Sequence, residues 1–350
     1  MAANTPTAFA DPARLRSAPW LRTPAIRRVF DVLATTGAVS RAVGGAVRNT
    51  LLGQAISDVD IATAATPDQV RAAAARAGLD AIPTGLAHGT VTLVSDGVPF
   101  EVTTLRRDVA TDGRHATVAF TDNWVADASR RDFTINALYC DADGTLFDPL
   151  GGAADLTPPR VRFIGDPHAR IREDALRILR FFRFSAEYAQ REPDGALGFE
   201  TIAFDVVGLA ACRARTGDLA GLSAERVRAE LMKILVAPGA AGAIDAMPAD
   251  GLLAAVLGTA PQGDAFLRLT GLEAALKRPP DAVLRLAALA VRGRGDVTVL
   301  KRRLRLFTAE AARLAAACGP AMPDPSHKTL ADGPAARRLQ YRLGDRKSVV

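Results

Sequence analysis

Two aspartates separated by one residue, Asp58 and Asp60, are the residues of this 350-residue chain whose types and spacing point most directly to chemistry. They alternate with Val59 and Ile61, so on an extended segment both carboxylates project from one face while the apolar side chains point into a core. Acids that share a face repel each other unless a cation lies between them, and carboxylate oxygens are ligands that Mg²⁺ takes. The pair therefore predicts a divalent-cation site, against the alternative of a solvated strand edge, which is commoner for an isolated pair.

A glycine pair, Gly44 and Gly45, lies upstream at a predicted strand-to-helix turn, with the helix expected over residues 46–52. Glycines at such a turn let a phosphate approach backbone N–H groups, where the helix dipole favours an anion. Arg48, one helical turn further on, would add a fork of donors to the same phosphates. A tight turn without a ligand is the alternative, but the arginine and the two aspartates at this spacing favour a nucleotide site.

Further motifs follow in order: TLRRD, DGRH, RRDFTINAL, DPLGGAADL and EDALRILRFFRF. Together with GGAVRNTLLG and SDVDIAT, they resemble the class II tRNA nucleotidyltransferases, the family of CCA-adding enzymes and bacterial poly(A) polymerases in the DNA polymerase beta superfamily. The resemblance implies template-independent addition of CCA to tRNA 3′ ends, with CTP and ATP as substrates and Mg²⁺ as cofactor in a two-metal-ion transfer. Where the family shows an aspartate after the arginine of its GGxVRD motif, this chain has Asn49, whose amide we expect to bond nearby backbone.

A third acid, Glu101, lies between two apolar residues in the second strand of a predicted hairpin, with strands over residues 90–94 and 99–104. In the family that the motifs resemble, an acid on a neighbouring strand completes the metal set, and Glu101 is the best match. The alternative is an exposed strand acid. The predicted catalytic residues are therefore Asp58, Asp60 and Glu101, with the two aspartates as metal ligands.

The segments TDGRH and RRDF carry the next predictions. The irregular stretch that contains Asp112, Gly113 and Arg114 is expected to be a flexible loop, which the resemblance implies assists the switch to ATP for the last addition. The resemblance also implies that Arg131 contacts the nucleotide and that Asp132 reads the ribose, because a carboxylate accepts from sugar hydroxyls. An ion pair at a helix end is the alternative for an isolated RRD tripeptide.

Base selection is expected from Asp174 and Arg177, which lie three residues apart on a helix predicted over residues 171–188 and so share a face. Cytosine and adenine each present an amino donor beside an unprotonated ring nitrogen, whereas uracil and guanine present a carbonyl beside a protonated one. An aspartate that accepts from the amine and an arginine that donates to the ring nitrogen would select the first two bases. The resemblance puts Arg180 and Arg183 at the phosphates, and a surface salt bridge is the alternative for the first pair.

The composition suits a polyanionic partner and gives no sign of a membrane span. A net charge of +6 and a pI near 9.6 suit a polyanionic partner, which the resemblance implies is tRNA. The three cysteines lack paired spacing and the four histidines are scattered, which argues against a zinc site. No apolar stretch approaches the roughly 18 to 20 residues that span a bilayer, so we expect a soluble, cytoplasmic protein.

The element pattern predicts an α+β fold, with an N-terminal nucleotidyltransferase head of mixed β-sheet and flanking helices, followed by all-α neck and body domains. Strands are expected near residues 38–43, 59–62, 138–140 and 146–148, and helices over 24–36, 67–77, 224–236 and 282–292. The expected domains are a loose N-terminal extension (1–22), the catalytic head (23–150), a helical neck for base selection (151–236), and a helical body with a partial tail for tRNA binding (237–344). We hypothesise that residues 345–350 are a sequencing-adapter artefact and that the natural chain continues.

Two other functions remain open at this point. A poly(A) polymerase of the same family shares the chemistry, although the segment GLAHGTV at residues 85–91 resembles the CCA-adding version rather than the more basic one usual in the polymerases. A non-catalytic RNA-binding relative would require loss of the acids, and Asp58, Asp60 and Glu101 are all present. Oligomeric state cannot be read from the sequence.

Overall fold

The computed structural model describes residues 11–112, 115–194, 199–247 and 251–318, without the side chains of residues 108–118 and 194. The chain divides into two compact units, one up to Asp174 and one from Ala175 onward. The first unit holds a mixed sheet with flanking helices, and the second is helical with one short hairpin. The predicted α+β fold class is confirmed.

The first unit is built around a seven-stranded sheet. Its strands and helices are α1 (Ala13–Arg16), α2 (Pro24–Ala34), β1 (Ser40–Val43), α3 (Gly45–Leu51), β2 (Asp60–Thr63), α4 (Pro67–Arg76), β3 (Asp80–Gly85), β4 (Thr90–Ser95), β5 (Val98–Thr104), β6 (Arg106–Asp112), β7 (His115–Phe120), α5 (Trp124–Ser129), β8 (Tyr139–Cys140), β9 (Leu146–Phe147) and α6 (Pro167–Glu173), with 3₁₀ turns at Pro19–Arg22, Leu86–His88, Thr134–Asn136 and Gly152–Asp155.

The sheet runs in the order β3-β4-β5-β2-β1-β8-β9. All neighbouring strands are antiparallel except β2 and β5, which are parallel. This one parallel pair makes the sheet mixed, and it sets the ends of β2 and β5 side by side. A cluster of buried residues that includes Val43, Leu105, Ala128 and Tyr139 packs at the C-terminal end of β1 and connects the sheet to α5.

Local sequence signals account for the helices that flank the sheet. The helix α4 begins with a capping box in which Thr66 Oγ1 accepts from the backbone N–H of Gln69 at 3.3 Å and the Gln69 side chain accepts from the Thr66 N–H at 2.8 Å. Pro67 follows at the first helical position, where its missing N–H costs nothing. The helix predicted from this Thr-Pro pair is confirmed to within one residue.

Residues 11–22 pack on the head instead of forming the predicted loose extension. Leu15 is fully buried, and Trp20 Nε1 donates to Thr50 Oγ1 in α3 at 2.8 Å. The prediction is wrong for these residues because burial of a few large apolar side chains stabilises even a short segment without a helical or strand period. Residues 1–10 lie outside the described part of the chain.

The second unit consists of nine helices in its described residues, with one hairpin and a 3₁₀ turn at Thr216–Gly221. Its elements are α7 (Leu176–Tyr188), β10 (Arg191–Asp194), β11 (Phe199–Ile202), α8 (Val206–Ala214), α9 (Ala224–Val236), α10 (Ala240–Ala246), α11 (Leu252–Leu257), α12 (Gly263–Ala275), α13 (Ala282–Ala290), α14 (Arg294–Leu304) and α15 (Thr308–Ala317). The helix predicted over residues 224–236 matches α9. Residues 319–350, which include the C-terminal end of the predicted body and the hypothesised artefact, lie outside the described residues.

The hairpin β10–β11 was not predicted from the sequence. Its four residue pairs run from Arg191 opposite Ile202 to Asp194 opposite Phe199. The segment contains a proline and three acids, which are depleted in strands, so propensity gave no signal for it. Within the described ranges, none of the helices combines the length and the apolar character that crossing a bilayer requires.

Candidate nucleotide and metal site

The glycine turn between β1 and α3 has a conformation that favours glycine. Gly44 has φ +73°, its N–H donates to Leu138 O at 3.0 Å, and a Cβ at this position would lie 3.7 Å from Asn136 O. Gly45 is the first residue of α3. The predicted strand-to-helix turn is confirmed, and it leaves backbone without side chains at the end of β1.

The paired aspartates lie beside this turn. Asp60 is the first residue of β2 and pairs in register with Val43, the last residue of β1. Both Asp58 and Asp60 are exposed while Val59 and Ile61 are buried. The predicted alternation is therefore confirmed, although Asp58 precedes the strand instead of lying within it.

Glu101 lies on the strand next to the aspartates. Ile61 in β2 pairs with Val102 in the parallel strand β5, so the preceding residues, Asp60 and Glu101, are neighbours on the opposite face of the sheet. Both side chains are exposed, and the two carboxylates interact electrostatically. The sheet thus brings together the three acids that the sequence predicted.

The crowding of these acids changes the protonation of Asp60. The pKa of Asp60 is raised from 3.8 to about 6, first by desolvation from the surrounding protein and then by the charges of Asp58 and Glu101, while Arg131 acts to lower it. A divalent cation among the acids would relieve this repulsion, and three carboxylates are the hard oxygen donors that such a cation takes. In the described part of the chain, no group of three or more His, Cys, Asp or Glu side chains is close enough to enclose a metal ion. The three carboxylates thus have the donor chemistry that a divalent cation takes, but they do not enclose an ion by themselves.

Arg131 lies between the glycine turn and the acids. Its Nη1 atom would be 4.0 Å from a Cβ at Gly44, and its charge acts on Asp60. Two buried groups hold it: Nη2 donates to Asp127 Oδ2 at 3.1 Å, and Nε donates to the Tyr139 hydroxyl at 3.2 Å. Burial alone would raise the pKa of Asp127, but Arg131, Arg130 and the Tyr139 hydroxyl together lower it below its usual value, so this carboxylate is ionised.

Arg48 and Asp132 are connected through Asn136. Arg48 Nη1 donates to Asn136 Oδ1, and Asn136 Nδ2 donates to Asp132 Oδ1 at 3.0 Å. Arg48 is only 6% exposed, so its contacts do not favour the predicted role, in which its guanidinium is open to bind phosphates. Because a guanidinium on a short helix can turn inward to a buried amide as readily as outward, spacing alone did not distinguish the two.

Asn49 replaces the family's aspartate without loss of local structure. Its side-chain amide donates to Ala55 O at 2.9 Å, and its oxygen accepts from Arg48 Nε at 3.1 Å. The expected bond from the amide to nearby backbone is confirmed. An aspartate could accept from Arg48 but could not donate to Ala55, so the asparagine closes the loop after α3 in its own way.

The predicted flexible loop falls partly outside the described residues. Gly113 and Arg114 lie there, while Asp112 ends β6 and pairs with His115 at the start of β7. The expectation of an irregular stretch from Thr111 to His115 is thus wrong for its described residues, which continue an antiparallel ladder. The polar sequence concealed the strands because it lacks the alternation of apolar and polar residues that predicts a half-buried strand.

Asp174 and Arg177, the pair predicted to select the base, do not share a helix. The helix α6 ends at Glu173, Asp174 is extended with φ −155° and ψ 104°, and α7 begins at Leu176 with Arg177 as its second residue. The predicted continuous helix over residues 171–188 is wrong, and so is the shared helical face. Aspartate favours helix boundaries over interiors, but the apolar period continues on both sides and hides the break. Both side chains are half-buried.

Arg180 and Arg183 are joined to α9 within the second unit. Arg183 Nε donates to Glu230 Oε2 at 2.6 Å, and Arg180 Nη1 lies 3.6 Å from Glu230 Oε1. Arg183 Nη1 also donates to Glu187 Oε2 at 3.1 Å, and Arg183 is only 8% exposed. These contacts give Arg183 a role in fixing α7 to α9 through Glu230.

Sequence reasoning missed Asp127, Asn136 and Tyr139, which hold the predicted residues in place. A signal for Asp127 was present, because it precedes Arg130 and Arg131 by three and four residues, the spacing of ion pairs on a helix. Asn136 and Tyr139 lie in the same RRDFTINALY segment but act across the fold, which no local spacing shows.

A mixed sheet that brings a glycine turn, three carboxylates and an arginine to one edge defines a nucleotidyltransferase head. Residues 40–162 match the family model described as the poly A polymerase head domain, and residues 208–267 match the one described as a probable RNA and SrmB-binding site of polymerase A.

Individual proteins agree with these matches. The chain is 42% identical to CCA tRNA nucleotidyltransferase 1, mitochondrial, of Danio rerio over 77% of this chain and 60% of that protein. It is 40% identical to the CCA-adding enzyme of Geobacillus thermodenitrificans over 63% of this chain and 52% of that protein. The crystal structure of the Bacillus stearothermophilus CCA-adding enzyme in complex with CTP superposes with a TM-score of 0.70 at 31% identity, covering 92% of this chain and 75% of that one.

The chain therefore belongs to the tRNA nucleotidyltransferase and poly(A) polymerase family. It spans between 48% and 60% of the length of the first curated relatives it matches. Use of a divalent metal is a property of this family.

Proposed function

We propose that this protein adds CCA to the 3′ ends of tRNA, without a nucleic-acid template, using CTP and ATP. The observation that carries the proposal is the placement of Asp60 and Glu101 side by side on one sheet face, with Asp58 just before β2, beside the Gly44 turn and Arg131. Relatives named as CCA tRNA nucleotidyltransferase and CCA-adding enzyme, and a neighbour crystallised with CTP, support the choice of substrates.

In the proposed reaction, the 3′-hydroxyl oxygen of the RNA attacks the α-phosphorus of the nucleotide, and pyrophosphate leaves. Asp58 and Asp60, with Glu101, would hold two Mg²⁺ ions, which supply activation of the hydroxyl and neutralisation of the phosphates. Arg131 binds the anionic triphosphate next to the open backbone of Gly44. Glu101, on β5, adds a negative charge to the same site, which favours the binding of cations.

Base and sugar selection belong to two further groups in this proposal. Asp132 accepts from ribose hydroxyls, and Asn136 and the backbone N–H of Phe133 hold its Oδ1 atom. Asp174 and Arg177 read the amino group and ring nitrogen of cytosine and adenine. Asp174 has an extended backbone and lies outside both helices, so a shared helical face does not position this pair. Arg180 binds the nucleotide's phosphates, and Arg183 fixes α7 to α9.

A poly(A) polymerase is the second candidate, because the matching family model is described as the head domain of that enzyme. The GLAHGTV segment at residues 85–91 favours the first candidate, because it resembles the version found in CCA-adding enzymes. The predicted cytoplasmic location stays a prediction, since the vertebrate relatives are named as mitochondrial.

The test is incubation of the purified protein with Mg²⁺ and a tRNA that lacks its CCA end, with CTP alone, ATP alone and both together. Two cytidines followed by one adenosine support CCA addition. A long adenosine tract supports poly(A) synthesis. A lack of incorporation under all three conditions supports the non-catalytic relative and contradicts the proposal.

A further inference from the structure

We propose that Asp127, together with the Tyr139 hydroxyl, is a positioning element that holds the Arg131 guanidinium at the nucleotide site. The inference rests on the proposed function, in which Arg131 binds the triphosphate. Neither Asp127 nor Tyr139 is one of the three predicted catalytic acids, and the contact that connects both of them to the site is the one with Arg131.

Asp127 is a buried carboxylate whose acceptors are directed at arginines. It is 1% exposed, its Oδ1 atom accepts from Arg130 Nε at 2.9 Å, and its Oδ2 atom accepts from Arg131 Nη2 at 3.1 Å. Because an ionised carboxylate is costly to bury without partners, these bonds fix the helix α5 and both arginines as one unit.

Tyr139 holds the same guanidinium at a second point. Its hydroxyl accepts from Arg131 Nε at 3.2 Å and donates to Asp127 Oδ2 at 2.9 Å, which closes a ring of three side chains. The Tyr139 ring is fully buried and meets Trp124 edge to face at 5.3 Å between ring centroids. With Nε and Nη2 both fixed, the planar guanidinium has a single orientation.

That orientation directs Nη1 toward the site. Nη1 lies 4.0 Å from the position of a Cβ at Gly44, on the side of Arg131 that faces the turn. Asp127 offsets one of the two positive charges of Arg130 and Arg131, which leaves one for an anionic ligand. A cation that is already fixed in its binding orientation loses little entropy when the nucleotide binds, so the expected effect is on affinity.

A purely structural role is the competing explanation, and Asp155 supplies a matched control. Asp155 is also 1% exposed, and it also accepts from two arginines and one hydroxyl, those of Arg160, Arg162 and Thr134. The arginine that lowers the pKa of Asp60 is Arg131, which Asp127 and not Asp155 holds. If buried carboxylates of this kind serve only folding, Asp127→Asn and Asp155→Asn will lower the melting temperature and leave the KM for CTP equal.

The experiment uses the full chain with Mg²⁺ and tRNA that lacks its end, and measures KM and kcat for CTP, the Kd for CTP by calorimetry, and the melting temperature. We expect Asp127→Asn to raise KM and Kd by about tenfold, as loss of a charge-assisted bond would, with kcat changed much less. Tyr139→Phe, which keeps the packed ring, should raise both by a smaller factor. Asp155→Asn should leave both unchanged.

A double-mutant comparison separates action through Arg131 from any other route. In an Arg131→Lys background, Asp127→Asn should add no further increase in KM, because the fork that it orients is gone. Full additivity would overturn the inference, as would an equal increase in KM for Asp155→Asn. If Asp127→Asn does not fold, an unchanged KM in Tyr139→Phe overturns it.

These outcomes are distinguishable from failure of the proposed function. If the parent protein binds CTP but transfers none, the proposed function fails, and the calorimetric Kd values still decide the inference. If the parent protein does not bind CTP at all, both are wrong.

Discussion

Asp60 in β2 and Glu101 in β5 lie side by side on one face of the sheet, each directly before the first residue pair of the two parallel strands. Most neighbouring strands in this sheet are antiparallel. The parallel pair of β2 and β5 brings Asp60 next to Glu101, which follows it by about forty positions in the sequence. The repulsion between these two acids is stored in the folded protein and is available to bind cations. The first prediction follows from it.

Asp60→Asn should stabilise the metal-free protein near neutral pH. The folded-state pKa of Asp60 is about 6, above its ordinary 3.8, so folding is penalised as pH rises from about 4 through about 6, and the penalty persists above that. Since Asp60 is exposed, solvent screening limits the gain to about 1 kcal/mol, or about 2 °C in melting temperature. Thermal unfolding in a chelator at pH 7.5 and at pH 4 measures it.

The metal dependence of that stability provides the control. Mg²⁺ should raise the melting temperature of the parent protein at pH 7.5 and have little effect on Asp60→Asn. A variant that is less stable than the parent in chelator at pH 7.5, or a gain that persists at pH 4, would contradict the predicted repulsion.

Gly44→Ala should reduce nucleotide affinity as well as stability. Gly44 has φ +73° and ψ −118°, a backbone conformation that an alanine adopts only at a cost of at least about 1 kcal/mol, and the added Cβ would enter the space next to Arg131 Nη1. Gly37→Ala is the matched control, because Gly37 has φ +75° and nothing lies within 4 Å of its Cβ position. Chemical denaturation should show a loss of stability for both variants, while only Gly44→Ala should weaken CTP binding. Equal CTP affinities for the two variants would exclude the turn from the site.

Glu230→Gln should destabilise the second unit strongly. Glu230 is 6% exposed and pairs with Arg183 at 2.6 Å, and removal of one partner from a buried pair costs about 3 kcal/mol. Glu225→Gln, on the same helix, breaks an exposed pair with Arg305 and should cost less than about 1 kcal/mol. Urea denaturation of both variants compares them. A loss for Glu230→Gln no larger than that for Glu225→Gln would show that the buried pair does not fix α7 to α9.

The head could be predicted from the sequence where local rules coincide with tertiary ones. The alternation around Asp58 and Asp60 predicted a strand with one buried face, and Thr66-Pro67 predicted a helix start. Both signals are local, because each depends only on the backbone geometry of a few consecutive residues. The parallel neighbour Glu101 could be identified only by resemblance, since sheet order is not encoded in local spacing.

The rest depended on contacts between distant positions. Whether Arg48 points to solvent or to Asn136 is decided by residues 88 positions apart, and the break at Asp174 is hidden within an unbroken apolar period. The hairpin at residues 191–202 has a composition that disfavours strands. Functional residues that touch a ligand were found by type and spacing, whereas those that hold them, such as Asp127, required the fold.

The most direct measurement is single-turnover incorporation of CTP into a tRNA that lacks its CCA end, in the presence of Mg²⁺, by the parent protein and by Asp58→Ala and Asp60→Ala variants whose folding has been verified. The account predicts addition of two cytidines by the parent and loss of at least about a thousandfold in rate for each variant, since each removes a ligand of the proposed metal ions. Incorporation by either variant at the parental rate would contradict the central claim.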